Sequence, residues 1–162
     1  MASFKEHIAH SNKNLQFLEA INGNLNDNWD WQVTVCFYTA LHLMNAHIVQ
    51  TTASNFLSHN KVETALSPYG MSPAKLDETT FLSYSKLSQL SRRSRYLLKE
   101  NYNPADDLQA ASSTYSIHMK KAIYHLDTVI SFMNKKYNCN ISKTKIRCVD
   151  LKNQNFSNFE II

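Results

Sequence analysis

The chain has 162 residues and a formal net charge of +4, and hydrophobic residues make up 43% of it. That length and composition suit one domain with a sizeable core. Only 2 glycines and 3 prolines occur, which argues against a β-rich fold because hairpins and sandwiches depend on these residues for their turns. Three cysteines fit neither a disulfide framework nor a zinc cluster, and they are typical of a reducing compartment.

A membrane or secreted location is not expected. The first residues lack the apolar segment of a signal peptide, and the longest apolar run, residues 30–48, is interrupted by His42, Asn45 and His47. Polar residues at that density make a poor membrane span. We therefore expect a cytoplasmic protein without a membrane partner.

Two long helices are predicted first. The first spans Ser3–Asn22 and ends at Gly23, with an apolar stripe formed by Phe4, Ile8, Leu15, Leu18 and Ile21. The second spans Asn28–Gln50 and is capped by Asp27 or Asn28. Because it is apolar nearly all round, it is expected to be the central helix of a bundle.

Shorter signals follow in the middle of the chain. Ser58 opens a short helix with the sequence HNKVETAL, and Ser72-Pro73 is a second helix-start signal. The next long helix is predicted from about Thr79 to Lys99, on a pattern of leucines at 82, 87, 90 and 97.

The last long helix is predicted to follow Asn103 and Pro104, and its stripe comprises Leu108, Ala111, Tyr115, Ala122, Leu126, Val129 and Met133. Residues 135–162 hold six basic and two acidic residues. They form either a partly irregular or disordered basic tail or an extended segment at KIRCVDL. The predicted fold is all-α: an up-and-down bundle of four long helices plus one short helix (1–134), with a C-terminal basic tail (135–162).

A polar strip interrupts the second helix. Tyr38, His42 and Asn45 are spaced by four and three residues and therefore share a face. His47 falls on a different face and is expected to point outward. The simplest interpretation of His42 is a core histidine with one hydrogen bond, and the alternative is a site residue.

A second polar group lies in SRRSRYLLKE, where Arg92, Arg95 and Tyr96 share a face. Arginines there either reach solvent or meet an anion. His59 lies in the first turn of the short helix, a place where anions bind. Histidine spacing does not match a metal-binding helix and no glycine-rich phosphate loop exists, so neither a metal nor a cofactor is expected.

Three motifs occur in a particular order: D-W-x(6)-Y-x-A-x-H from Asp30, S-H-x-x-V from Ser58 and S-R-x-x-R-Y from Ser91. In this respect residues 3–134 resemble the HEPN superfamily of prokaryotic helical domains, and within it a set of bacterial proteins. The resemblance implies a helical bundle that often forms a homodimer. Many members are metal-independent ribonucleases that carry R-x(4–6)-H. Positions 97–102, which follow the arginines at that distance, hold no histidine, so this motif is absent.

These observations lead to one main hypothesis and two alternatives. The main hypothesis is a non-catalytic HEPN-like module that binds RNA, a nucleotide or a protein partner. Its ligand site would join His42 to Arg92 and Arg95 across the bundle, with Tyr38, His59 and Tyr96 beside them. One alternative is a structural or interaction protein with a buried polar network. The other is a divergent ribonuclease that uses His42 and Arg95 as catalytic residues.

Overall fold

The structure is a computed structural model that describes residues 2–25, 27–56, 58–96 and 114–162. Its helices are α1 (Phe4–Asn24), α2 (Trp29–Thr52), α3 (His59–Leu66), α4 (Glu78–Tyr96) and α5 (Ser116–Tyr137). Two short strands follow, β1 (Thr144–Ile146) and β2 (Phe159–Ile161), with a 3-10 helix at Val149–Leu151 between them. The prediction of a mostly helical protein is confirmed, and a two-stranded parallel pair is added to it.

The second helix is the centre of the fold, as its sequence predicts. Helix α2 packs against α1, α3, α4 and α5, and most of its residues are buried. A helix that is apolar nearly all round buries most of its surface only when neighbours surround it. The core that results contains Leu18, Phe37, Leu43, Met44, Tyr84, Leu87, Ile123 and Leu126.

The helix ends in the first half follow local capping only in part. Asn28 is the residue before α2, as predicted, but its side chain makes no capping hydrogen bond. Ser58 caps α3 by accepting a hydrogen bond from the Lys61 N–H (3.4 Å), as predicted. The predicted stop at Gly23 is wrong, because α1 continues to Asn24 and no glycine in the described part adopts a positive φ. The Asn24 side chain donates to the Ala20 carbonyl (2.8 Å), which satisfies an acceptor of the last turn.

The helix start predicted at Ser72-Pro73 is also wrong. Ser72 forms a turn in which its hydroxyl accepts from the Ala74 N–H (3.1 Å). Helix α4 begins only after Asp77, whose carboxylate accepts from the Thr80 N–H (2.9 Å). Serine and aspartate serve equally well in turns and at helix starts, so the sequence signal did not separate the two.

The last helix begins later than its stripe indicates. Tyr115 was predicted inside the helix, yet its backbone is extended and α5 starts at Ser116. The Tyr115 N–H donates to His118 Nδ1 (2.9 Å), so the histidine side chain takes part in capping the start of α5. The predicted cap at Asn103, its neighbour Pro104 and the predicted α4 end at Lys99 lie outside the described residues.

The basic segment after α5 packs on the helices. Strands β1 and β2 pair in parallel, and Ile146, Leu151 and Phe159 are buried. Asn22 of α1 accepts from the Arg147 N–H (2.7 Å) and donates to the Arg147 carbonyl (3.0 Å). The first residues of KIRCVDL are therefore extended, which is one of the two alternatives that the sequence left open for this segment.

Candidate functional site

The polar strip of α2 forms part of the protein surface. Tyr38 and His42 are half-buried, whereas Asn45 is only 8% exposed. Contacts from α1 reach His42, and contacts from α3 and α4 reach Tyr38. The strip therefore lies where three other helices approach α2.

Tyr38 and Arg95 form the contact that joins α2 to α4 at this surface. The Arg95 guanidinium donates to the Tyr38 hydroxyl (3.3 Å), and its central carbon lies 5.7 Å from the Tyr38 ring centroid. A second hydrogen bond runs from Arg95 Nε to the Ser91 carbonyl (3.4 Å). The guanidinium is therefore fixed beside an aromatic ring, as the main hypothesis requires for these two residues.

Two further predicted residues border this contact. The His59 ring, in the first turn of α3, lies 6.3 Å from the Tyr38 ring centroid and is exposed. Arg92 is exposed on α4, one helical turn before Arg95. The side chain of Tyr96 lies outside the described part of the structure. The structure thus brings together Tyr38, His59 and Arg95.

His42 does not join them. Among the described residues, its partners are two histidines of α1 rather than Arg92 or Arg95. His42 Nδ1 lies 3.2 Å from His7 Nδ1, and the His42 and His10 rings stack with centroids 4.0 Å apart. Within the described residues, the expected contact between His42 and an arginine is therefore absent. Helix α1 packs against this side of the polar strip instead.

The hydrogen bonds around His7 define the tautomers. The Asn55 amide donates to the Ala2 carbonyl (3.0 Å), which directs Asn55 Oδ1 towards His7 Nε2 (3.2 Å). Since Oδ1 can only accept, His7 carries its proton on Nε2 and accepts at Nδ1 from His42. Burial, followed by the neighbouring imidazoles of His10 and His7, lowers the pKa of His42 to about 4, so His42 is neutral at physiological pH.

His47 contradicts its prediction as a surface residue. It is fully buried, and both ring nitrogens have partners: Nε2 donates to the Ala74 carbonyl (2.9 Å) and Nδ1 accepts from the Tyr137 hydroxyl (2.6 Å). Burial is the main cause that lowers its pKa to about 4. The segment before α4 and the end of α5 cover this face of α2, which was expected to face solvent.

A cavity of about 300 Å³ lies beside the strip, where α1, α2 and α3 meet. Asn45 is among its lining residues; its Nδ2 donates to the Leu41 carbonyl (3.0 Å), and its buried Oδ1 has no hydrogen-bond partner in the described structure. His59 also lines the cavity. It therefore borders both the cavity and the Tyr38–Arg95 contact.

Sequence reasoning missed His7, His10 and Asn55. The three-residue spacing of His7 and His10 was visible, and it places them on one face of α1. The spacing does not identify the partner across the helix interface, which is His42 of α2. Within the described residues, no group of three His, Cys, Asp or Glu side chains is arranged to hold a metal ion.

None of the described helices combines the length and apolar character needed to span a membrane. Comparisons of the chain with protein-family models, with curated proteins and with solved structures found no match. The case for a function therefore rests on the geometry of the chain's own residues.

Proposed function

We propose that this protein is a non-catalytic HEPN-like module that binds RNA or a nucleotide through Tyr38, His59 and Arg95. The observation that carries the proposal is the Arg95 guanidinium, which two hydrogen bonds hold against the Tyr38 ring. Sequence spacing assigns Arg92 and Tyr96 to the same surface.

This combination of groups suits a phosphate-bearing ligand with an aromatic base. A guanidinium pairs with phosphate oxygens through its planar fork, and less entropy is lost when the fork is already positioned. Partly exposed aromatic rings such as Tyr38 provide surfaces on which bases stack. A cation fixed at the edge of such a surface would therefore place a phosphate next to a stacked base.

The proposal is non-catalytic for two reasons. The R-x(4–6)-H motif of the nuclease branch is absent from the sequence. Cleavage at a ribose 2′-hydroxyl also needs a proton-transferring group at the same phosphate as the arginine. His42, the catalytic candidate, instead contacts His7 and His10, which counts against that candidate. His59, the imidazole that does lie near Tyr38, is proposed here as a binding residue.

The proposal retains the finer features that the resemblance implies. These are an up-and-down arrangement of four long helices and one short helix, a bacterial and cytoplasmic protein, and a homodimer. The packing of α2 against α1, α4 and α5 supports the bundle. Sedimentation at micromolar concentration should give a dimer, and a monomer at that concentration would count against this part of the proposal.

A structural role is the second candidate, and the histidine cluster favours it. The chain of hydrogen bonds from Asn55 through His7 to His42 links α1 to α2 without any ligand. If this network alone explains the polar strip, Tyr38 and Arg95 would serve only to hold α4 against α2.

Fluorescence anisotropy with a labelled single-stranded RNA separates the two candidates. We expect wild-type protein to bind and Arg95→Ala to weaken binding about tenfold, since a phosphate contact is lost. Arg147→Ala is the matched control, because Arg147 is exposed and its hydrogen bonds to Asn22 use only backbone atoms. Absence of RNA binding, or equal losses in both variants, would favour the structural role.

Metal-independent cleavage that disappears in both His42→Ala and Arg95→Ala would favour the ribonuclease alternative.

A further inference from the structure

We propose that the cavity between α1, α2 and α3 receives one unpaired nucleobase of the bound ligand. The cavity measures about 300 Å³, which lies at the lower end of the range for small-molecule sites. This inference rests on the proposed function, because it assigns a place to a second base of the same RNA ligand, adjacent to the base that stacks on Tyr38.

The walls of the cavity are suited to a flat ring. Leu41 of α2, Val62 of α3 and Phe56 of the connecting segment form its apolar part. Pockets for small molecules are mostly apolar, with a few polar groups that fix orientation. A planar heteroaromatic ring could bury its faces here and keep its polar edge for hydrogen bonds.

Polar groups for that edge come from α2 and from the start of α3. Asn45 lines the cavity, is 8% exposed, and has a buried Oδ1 with no partner in the described structure. A buried acceptor without a donor is unfavourable, and a base offers N–H donors at its edge. Because Oδ1 itself is inaccessible to solvent, the Asn45 side chain has to rotate before a base in the cavity reaches it. Ser58, whose Oγ accepts from Lys61 N–H, also lines the cavity and has its own O–H to donate. His7 is instead part of the wall, because both of its ring nitrogens are engaged by His42 and Asn55.

His59 connects the cavity to the proposed phosphate contact. It lines the cavity, and its ring lies 6.3 Å from that of Tyr38, which is hydrogen-bonded to Arg95. A phosphate at Arg95 and a base in the cavity would then belong to the same nucleotide or to adjacent ones. Since a base within a duplex has its edge paired and its faces stacked, single-stranded RNA should be the preferred form.

Two variants test the cavity separately from Arg95. Val62→Phe fills it, and Val149→Phe, at an exposed position, is the matched control for the added ring. Asn45→Leu removes the polar group but keeps a similar volume, and it should not destabilise the protein because the unpartnered acceptor disappears. Asn45→Leu therefore tests the cavity even if Val62→Phe fails to fold.

The experiment titrates each protein with the four nucleosides by NMR and with single-stranded and duplex RNA of one sequence by anisotropy. We expect at least one nucleoside to bind wild type and Val149→Phe alike. Val62→Phe and Asn45→Leu should weaken nucleoside and single-stranded RNA binding about tenfold, and duplex should bind less tightly than single strand.

The outcomes distinguish the two proposals. If Val62→Phe and Asn45→Leu bind nucleosides and RNA like wild type while Arg95→Ala loses RNA, the base site is wrong and the proposed function stands. If the cavity variants lose nucleoside binding while Arg95→Ala keeps full RNA affinity, the base site stands and the proposed phosphate contact is wrong. If wild type binds neither nucleosides nor RNA, both are wrong.

Discussion

At the scale of single residues, the two histidines of α2 differ from what their spacing indicated. His47, which was expected to point outward, is buried between Tyr137 and the Ala74 carbonyl. His42, which was expected to contact arginines, contacts His7 and His10. Helical spacing shows which residues share a face, but it does not show which neighbour covers that face.

The buried position of His47 predicts a large effect of its removal. His47→Ala should lower the free energy of unfolding by about 3 kcal/mol, because it leaves a cavity and two polar groups without partners. Tyr137→Phe removes only one of these hydrogen bonds and should cost about 1 kcal/mol. Urea denaturation measures both. A His47→Ala protein as stable as wild type would mean that the side chain is exposed after all.

Both histidines also make stability depend on pH. Their folded-state pKa of about 4 lies below the ordinary value of 6.5, so the unfolded chain binds protons that the folded chain does not. Stability should therefore be fully present above pH 6.5 and fall as pH drops from 6.5 towards 4. NMR titration should find the His42 and His47 rings neutral at pH 5. Charged rings at that pH would contradict the assigned burial.

At the scale of helices and strands, the sequence predicted best where one local signal decided the outcome. Ser58 fixed the start of α3 because serine next to a helical pattern caps it. At Gly23 and Ser72 the residue type was equally compatible with a different local structure, in which Asn24 and Ser72 make hydrogen bonds to nearby backbone groups. The segment around Arg147 was the least predictable, because its main anchor, Asn22, is 125 residues away.

That anchor can be tested directly. Asn22→Ala removes hydrogen bonds to both backbone groups of Arg147 and to the Gln32 side chain. Because Asn22 is buried, the substitution should destabilise the protein by about 2 kcal/mol. Hydrogen exchange at Lys145 and Arg147 should accelerate more than exchange in α2. Uniform acceleration across the protein would show that Asn22 does not specifically hold this segment.

At the scale of the whole molecule, composition and periodicity were sufficient for the mostly helical class. Few glycines and prolines and long apolar stripes leave little room for another class. They could not reveal the cavity, because its walls come from three helices and a connecting segment. For the candidate site, the sequence grouped Tyr38, His59 and Arg95 with His42, and in the structure the first three lie close together. His42 contacts His7 and His10 of α1 instead of the arginines.

The salt dependence of RNA binding tests the central claim, that Arg95 holds a phosphate beside Tyr38, most directly. The affinity of wild type, Arg95→Ala and Arg147→Ala for one single-stranded RNA is measured over a series of salt concentrations. Loss of one phosphate contact should reduce the slope of log K against log salt by about 0.7 in Arg95→Ala, and Arg147→Ala should keep the wild-type slope. Equal slopes in wild type and Arg95→Ala would contradict the phosphate contact.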